Sequence, residues 1–425
     1  GTLQQGRSPF ASAHQAMTPA QHAEDQIETV PRPLEVDILR RLLADNRKFG
    51  PVLRGGAICN HYSMAMLAAW GLGAGDRELA QLHHFLDDRY RVPWEEMPAP
   101  KVQLHQGTWL RGGLGDLAAA AQFREFFLQE VQSLGVDGLL QAYLPQLVLG
   151  QHKGLFHPTI RLSFALMAPC SNAEEAAEAL AYSAARHEPL FRAANHEFEE
   201  DLRDGAELPV RPSLAVDFAE LQARMHAAWC DLRRLYAGRA YDGHGNSFKV
   251  LAELYQDEQL RQVALSYFPV SPANAEQSVL LSAQMALQLY KHQPGLTTLH
   301  AVTGGHAVSD LLPRLHGSAK VVSAKLYWIW LSTLFVEKGA PPVVRWEDDD
   351  FPPGPELSWP EVRRLALSPI QGTEEADEVM GGLGDQEPQT HCIKMVYTCD
   401  AMDKKMPHPL YIEVASTVAR RGRPW

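Results

Sequence analysis

Neutral imidazoles are the commonest metal ligands in proteins, and histidine is also the side chain that titrates nearest neutral pH. Several of the 18 histidines in this chain stand beside apolar runs where a helix starts or is interrupted. His61 lies in CNHYSMAMLA, His157 in GLFHPTIRL, His300 in TTLHAVTGGHAVSDLLP and His391 in THCIKMVY. Lys325 lies inside the apolar stretch SAKLYWIWL. An ammonium there either reaches a narrow stripe of solvent or meets a polar partner inside, because an unpaired buried charge is costly. The scatter of these five residues over most of the chain is the pattern of a metal site built between facing helices, each giving one ligand. Neutral imidazoles suit iron(II), and an all-histidine set needs an anion to balance the ion. Taken one at a time, each histidine reads more readily as a satisfied core or surface residue than as a ligand, His152 and His187 read as structural, and Lys325 reads as a lysine whose stem covers apolar surface.

The elements that must position these residues are helical. Leu34, Ile38, Leu42 and Leu43 fall on one face of a helix starting at Pro33. Asn60 or Ser63 can cap a helix carrying Met64, Leu67, Ala68 and Trp70, which Gly71 can end, so His61 falls at a helix start. Pro158 biases His157 away from the helical region, which holds it at a turn or the first turn of a helix. Two helices are expected after the glycine-rich turn at Gly112, Gly113 and Gly115. Others are expected over 173–200, 214–237, 248–263, 274–292, 321–335 and 359–367, with two more at the C-terminal end. Few stretches alternate with period two and no βαβ rhythm occurs. The expected fold is therefore all-α: a flexible polar arm at 1–32, then a single large multi-helix domain over 33–425 with the metal site between central helices.

A net charge of −12 without a long basic run argues against nucleic acid or an anionic membrane as partner, and leaves small organic substrates open. Cys59, Cys170, Cys230, Cys392 and Cys399 form no CxxC pair, so neither a disulfide framework nor a thiolate zinc site is expected, and a reducing cytoplasm is the expected compartment. The first residues lack the basic and apolar regions of a secretory signal. The helix around Lys325 reads as too short and too interrupted to cross a bilayer. GLGAG at 71–75 follows a helix and not a strand, which removes it as a dinucleotide loop. HEFEE at 196–200 lacks the second histidine of a zincin helix, and neither GxxxxGK[ST] nor GxSxG occurs.

Taken in order, these stretches resemble the questin oxidase-like family. The resemblance rests on NHYSMAMLA at 60–68, GLFHPTIRL at 154–162, HAVTGGHAVSDLLP at 300–313, the apolar helix of Lys325 and the late HCIK at 391–394, and it covers roughly residues 36 to 420. Two departures from the family pattern are a Trp-rich lysine helix and an acidic stretch at 345–390. The resemblance implies an oxygenase that opens a ring of an aromatic polyketide such as an anthraquinone, by O2-dependent C–C cleavage or Baeyer–Villiger-type oxidation. It implies non-haem iron, Fe(II), on His61, His157, His300 and His391, with N-carboxylated Lys325 as an oxygen ligand. The chemistry is coherent. A protonated lysine has no lone pair to offer, a carbamate made from lysine and CO2 brings two oxygens and a negative charge, and burial favours the neutral amine that reacts. His306 follows His300 by six residues, which turns it about 120° away. It is expected beside the metal as a catalytic or substrate-contacting group. Trp328 and Trp330 are expected to line a flat aromatic pocket. Two alternatives stay open: a metal-free oxidase that consumes NADPH and uses the histidines as acid–base groups, and a helical polyketide-binding protein without catalysis.

Overall fold

A computed structural model describes residues 33–54, 56, 58–86, 91–98, 113–167, 172–190, 217–239, 247–343, 357–368, 386–422 and 424. The arm at 1–32, HEFEE, Cys170 and most of the acidic stretch lie outside the described residues. The chain is all-α, as expected, with one small addition. After α1 (Pro33–Asn46), the strand β1 (Phe49–Leu53) pairs antiparallel and irregularly with β2 (Arg91–Pro93). Between these strands lie α2 (Tyr62–Gly71) and α3 (Asp76–Phe85).

The middle of the chain supplies α4 (Ala120–Leu147), α5 (His157–Ala165) and α6 (Ala173–Ala185). Gly135, at φ 68° and ψ 177°, breaks α4 into the two helices expected there. Next come α7 (Phe218–Tyr236), α8 (Ser247–Leu254) and α9 (Glu258–Ser266). The single helix expected over 248–263 is split because the Asp257 carboxylate accepts from the Leu260 amide and starts a new helix. The remaining helices are α10 (Ala275–His292), α11 (Leu296–Leu311), α12 (Gly317–Glu337), α13 (Trp359–Ala366), α14 (Gln386–Lys405) and α15 (Pro409–Arg421).

Four of these helices close a ring: α2 packs on α5, α5 on α11, α11 on α14, and α14 on α2. Small residues let the ring close tightly. Phe156 lies against Gly304 of α11, where a Cβ would stand 2.6 Å from its ring carbon. The helix of Lys325, α12, lies outside the ring against α10 and α11. Its 21 residues are long and apolar enough to cross a bilayer, contrary to the expectation, but nearly all of them are buried against protein neighbours. Trp328 stacks with Phe268 at 5.3 Å and with Trp229 at 6.1 Å, and its indole N–H donates to the Ala264 carbonyl. This helix is the spine of the core.

Candidate metal centre

The ring of helices brings four histidines from four helices to one point. His61 is the residue that caps α2, where the Asn60 side chain accepts from the Tyr62 amide and turns the chain into the helix. His157 opens α5 after an unusual turn. Gly154, Leu155 and Phe156 all have positive φ, at 60°, 56° and 61°. For leucine and phenylalanine this conformation costs about 1–3 kcal/mol each, and such strain concentrates at functional sites. Pro158 then fixes the first turn of α5. His300 sits in the second turn of α11 and His391 lies within α14.

All four side chains are buried, and one nitrogen from each falls within 4.8 Å of the others. The His61 and His157 Nε2 atoms are 2.6 Å apart, His157 and His300 3.1 Å, and His300 and His391 3.3 Å. A first-row ion binds imidazole nitrogen at about 2.1 Å, so adjacent ligands of an octahedral ion stand about 3 Å apart and opposite ones about 4 Å. The spacing of the four nitrogens fits that frame.

The protons point the same way. A carbonyl oxygen only accepts, so His300 must donate from Nδ1 to the Leu296 carbonyl at 2.7 Å, and His157 from Nδ1 to the Gly154 carbonyl. Both rings therefore carry their lone pair on Nε2, and these two lone pairs face each other. They repel unless a cation lies between them or one ring is protonated. Burial opposes protonation. It pushes His157, His300 and His391 well below the usual histidine range, and the neighbouring rings and the Lys394 charge add to the effect. Four converging imidazoles in a buried site can hold a metal ion.

The other expected site residues lie elsewhere. Lys325 is half-buried on α12, the helix that lies outside the ring. Tyr327 of α12 reaches α11, donating to the Ala301 carbonyl at 2.8 Å. Lys325, two residues earlier, points roughly 200° around the helix from it. Lys394 is the lysine that meets the site. It is 1% exposed, follows His391 by three residues on the same side of α14, and its charge acts on three of the four histidines. The late HCIK motif contained this signal. His306 also stands outside the four-histidine group. Its Nε2 faces the Asp310 carboxylate at 3.4 Å.

Trp328 is packed into the core stack and Trp330 faces a cavity. That cavity, of about 600 Å³, is walled by Trp330, Tyr255, Phe248, His152, Gly154 and Leu155, so it shares the strained turn that presents His157. Burial takes the neighbouring His152 down to about 3, and the Lys153–Glu188 ion pair also lines the cavity.

Known proteins bear on this geometry in two ways. The Questin oxidase-like family model matches residues 58–399, from just before His61 to past Lys394, and the chain belongs to that family. A search of curated proteins finds no match to the chain.

Proposed function

We propose, with membership of the questin oxidase-like family as the premise, that this chain is an oxygenase whose metal is held by His61, His157, His300 and His391. The observation that carries the reading is the pair of Nε2 lone pairs on His157 and His300, buried and 3.1 Å apart. The proposed substrate is an aromatic polyketide of the anthraquinone type, and the proposed outcome is opening of one ring with O2 as oxidant. Iron(II) is the proposed ion, on the strength of the family. It would supply the one-electron chemistry by which O2 reacts with a closed-shell aromatic. Imidazole affinity alone favours copper or zinc.

The protein's own part is to bind, orient and keep dry. The carbonyls of Gly154 and Leu296 hold two imidazoles in the ligating tautomer. Lys394 takes the role the sequence suggested for Lys325. Its amine adds to CO2 and loses a proton, giving a carbamate that balances the cation, whereas an ammonium at that place would be repelled by it. The cavity beside the 154–157 turn has the volume of a small-molecule site and aromatic walls for a tricyclic quinone.

Metal analysis of wild type, Lys394→Ala and Lys325→Ala, side by side, tests this. The expected result is about one iron per chain in wild type and in Lys325→Ala, with a clear loss in Lys394→Ala. A wild-type protein that stays metal-free when produced with added iron ends the reading. NADPH consumption by that metal-free protein with a hydroxyanthraquinone would put acid–base catalysis by the same histidines in its place.

A further inference from the structure

The ring of helices has a second junction. About two helical turns beyond the histidines, Tyr397 of α14 meets the other three ring helices. Its ring lies 5.3 Å from Phe164 of α5 and 5.7 Å from His306 of α11, and it fills the space a side chain at Gly71 of α2 would need. Beside it, the Asp310 carboxylate of α11 gathers one residue from each neighbour. Ser163 of α5 donates to Oδ2 at 2.6 Å, His306 faces the same oxygen, and Lys405 of α14 donates to Oδ1. Lys405 also donates to Ser309 at 2.8 Å. Burial pushes the Asp310 carboxyl up, but His306 and Lys405 outweigh it and hold it below the usual range.

From each histidine to its counterpart in the junction the chain runs in the same sense: His61 to Gly71, His157 to Ser163 and Phe164, His300 to His306, and His391 to Tyr397. The six residues in α5, α11 and α14 span about 9 Å of helix, and the ten in α2 about 15 Å. The four helices are thus tied twice, once at the site and once further along each helix. Two tie points set both the separation and the tilt of each helix, and a ligand on a helix is only as well placed as that tilt.

We infer that the Asp310–Tyr397 junction positions the four metal-ligating histidines, with Asp310, His306, Ser163, Lys405 and Tyr397 as positioning residues that touch neither metal nor substrate. The inference rests on the proposed metal centre. Its measurable consequence is that the junction governs how tightly and in what geometry the ion is held, beyond any effect on overall stability.

The test compares iron-loaded and cobalt(II)-substituted wild type with Asp310→Asn, and with Val279→Ala, a buried change on α10 outside the ring. Metal release to a chelator, the cobalt visible spectrum and the unfolding midpoint are recorded for each. Asp310→Asn is expected to release metal at least tenfold faster and to shift the cobalt bands. Val279→Ala is expected to keep the wild-type rate and spectrum although its midpoint falls. Wild-type release and spectrum in Asp310→Asn overturn the inference, as does equally fast release from Val279→Ala. If Asp310→Asn does not fold, Ser163→Ala removes a single arm of the junction. Severalfold faster release is expected there, and a wild-type rate overturns the inference. A wild type that binds neither ion overturns the metal reading and this inference together. A metal-loaded wild type with an indifferent junction overturns this inference alone.

Discussion

Two successive helices, α11 and α12, pack against each other, are almost wholly buried, and do opposite work. α12 is the more conspicuous in sequence, with Leu326, Tyr327, Trp328, Ile329, Trp330 and Leu331 in one run. Its rings stack on Trp229 and Phe268, and its Tyr327 hydroxyl and Trp328 indole are spent on backbone carbonyls. α11 looks plainer, yet it buries His300, Thr303, His306 and Ser309 among small residues. An apolar run shows that a helix is inside. The chemistry is found where buried polar atoms face one another.

Substitutions can break or sharpen this contrast. The largest effect is expected from His300→Ala in α11, which should lower metal affinity by about 10²-fold or more, since even loss of a ligand's hydrogen-bond partner costs about 10–100-fold. Titration of apoprotein with iron or cobalt measures it, and a fully loaded His300→Ala would remove α11 from the site. In α12, Trp328→Ala should cost about 3–5 kcal/mol of stability, as large core truncations do, while metal per folded chain stays at the wild-type value. Denaturant unfolding alongside metal analysis separates the two, and selective metal loss would mean that α12 is no mere spine. Gly304→Ala drives a methyl toward Phe156 and the turn behind His157. It should cost about 1–3 kcal/mol by overpacking and weaken metal binding as well. An unchanged metal affinity would uncouple that turn from the site. The smallest effect, about 0.5 kcal/mol or less and no change in metal content, is expected for Lys325→Ala.

The four histidines were legible because each sits in a motif at or near a helix start, where a side chain is aimed by backbone geometry. The residue before Pro158 and the caps around Asn60 gave His157 and His61 their places. The lysine was not legible in the same way. Composition singled out Lys325 for its apolar neighbours, but the side of the helix on which a charge falls depends on what packs against that helix. Lys394 stood in a motif already in view, three residues from His391, and its importance came only from its burial. His306, expected as a catalytic or substrate-contacting group, lies six residues along α11 from His300 and faces Asp310. The β1–β2 pair went unread because FGPVL and RVP are too short to show alternation.

The common direction of the four ring helices has an electrical consequence. Peptide dipoles add along a helix, leaving roughly half a positive charge at its N-terminal end. α2 and α5 begin at their own histidines, and α11 begins four residues before His300. His61 and His157 thus sit at the positive ends of their helix dipoles and His300 and His391 one turn further in, in a buried site. Such a field does nothing to attract a cation, so the proposed ion would depend on the lone pairs of the imidazoles. Dipoles and a bound ion would together favour any anion that approaches. On the proposed reading the ionised form of a hydroxyquinone would gain over its neutral form, and azide should compete far better than an uncharged ligand of the same size.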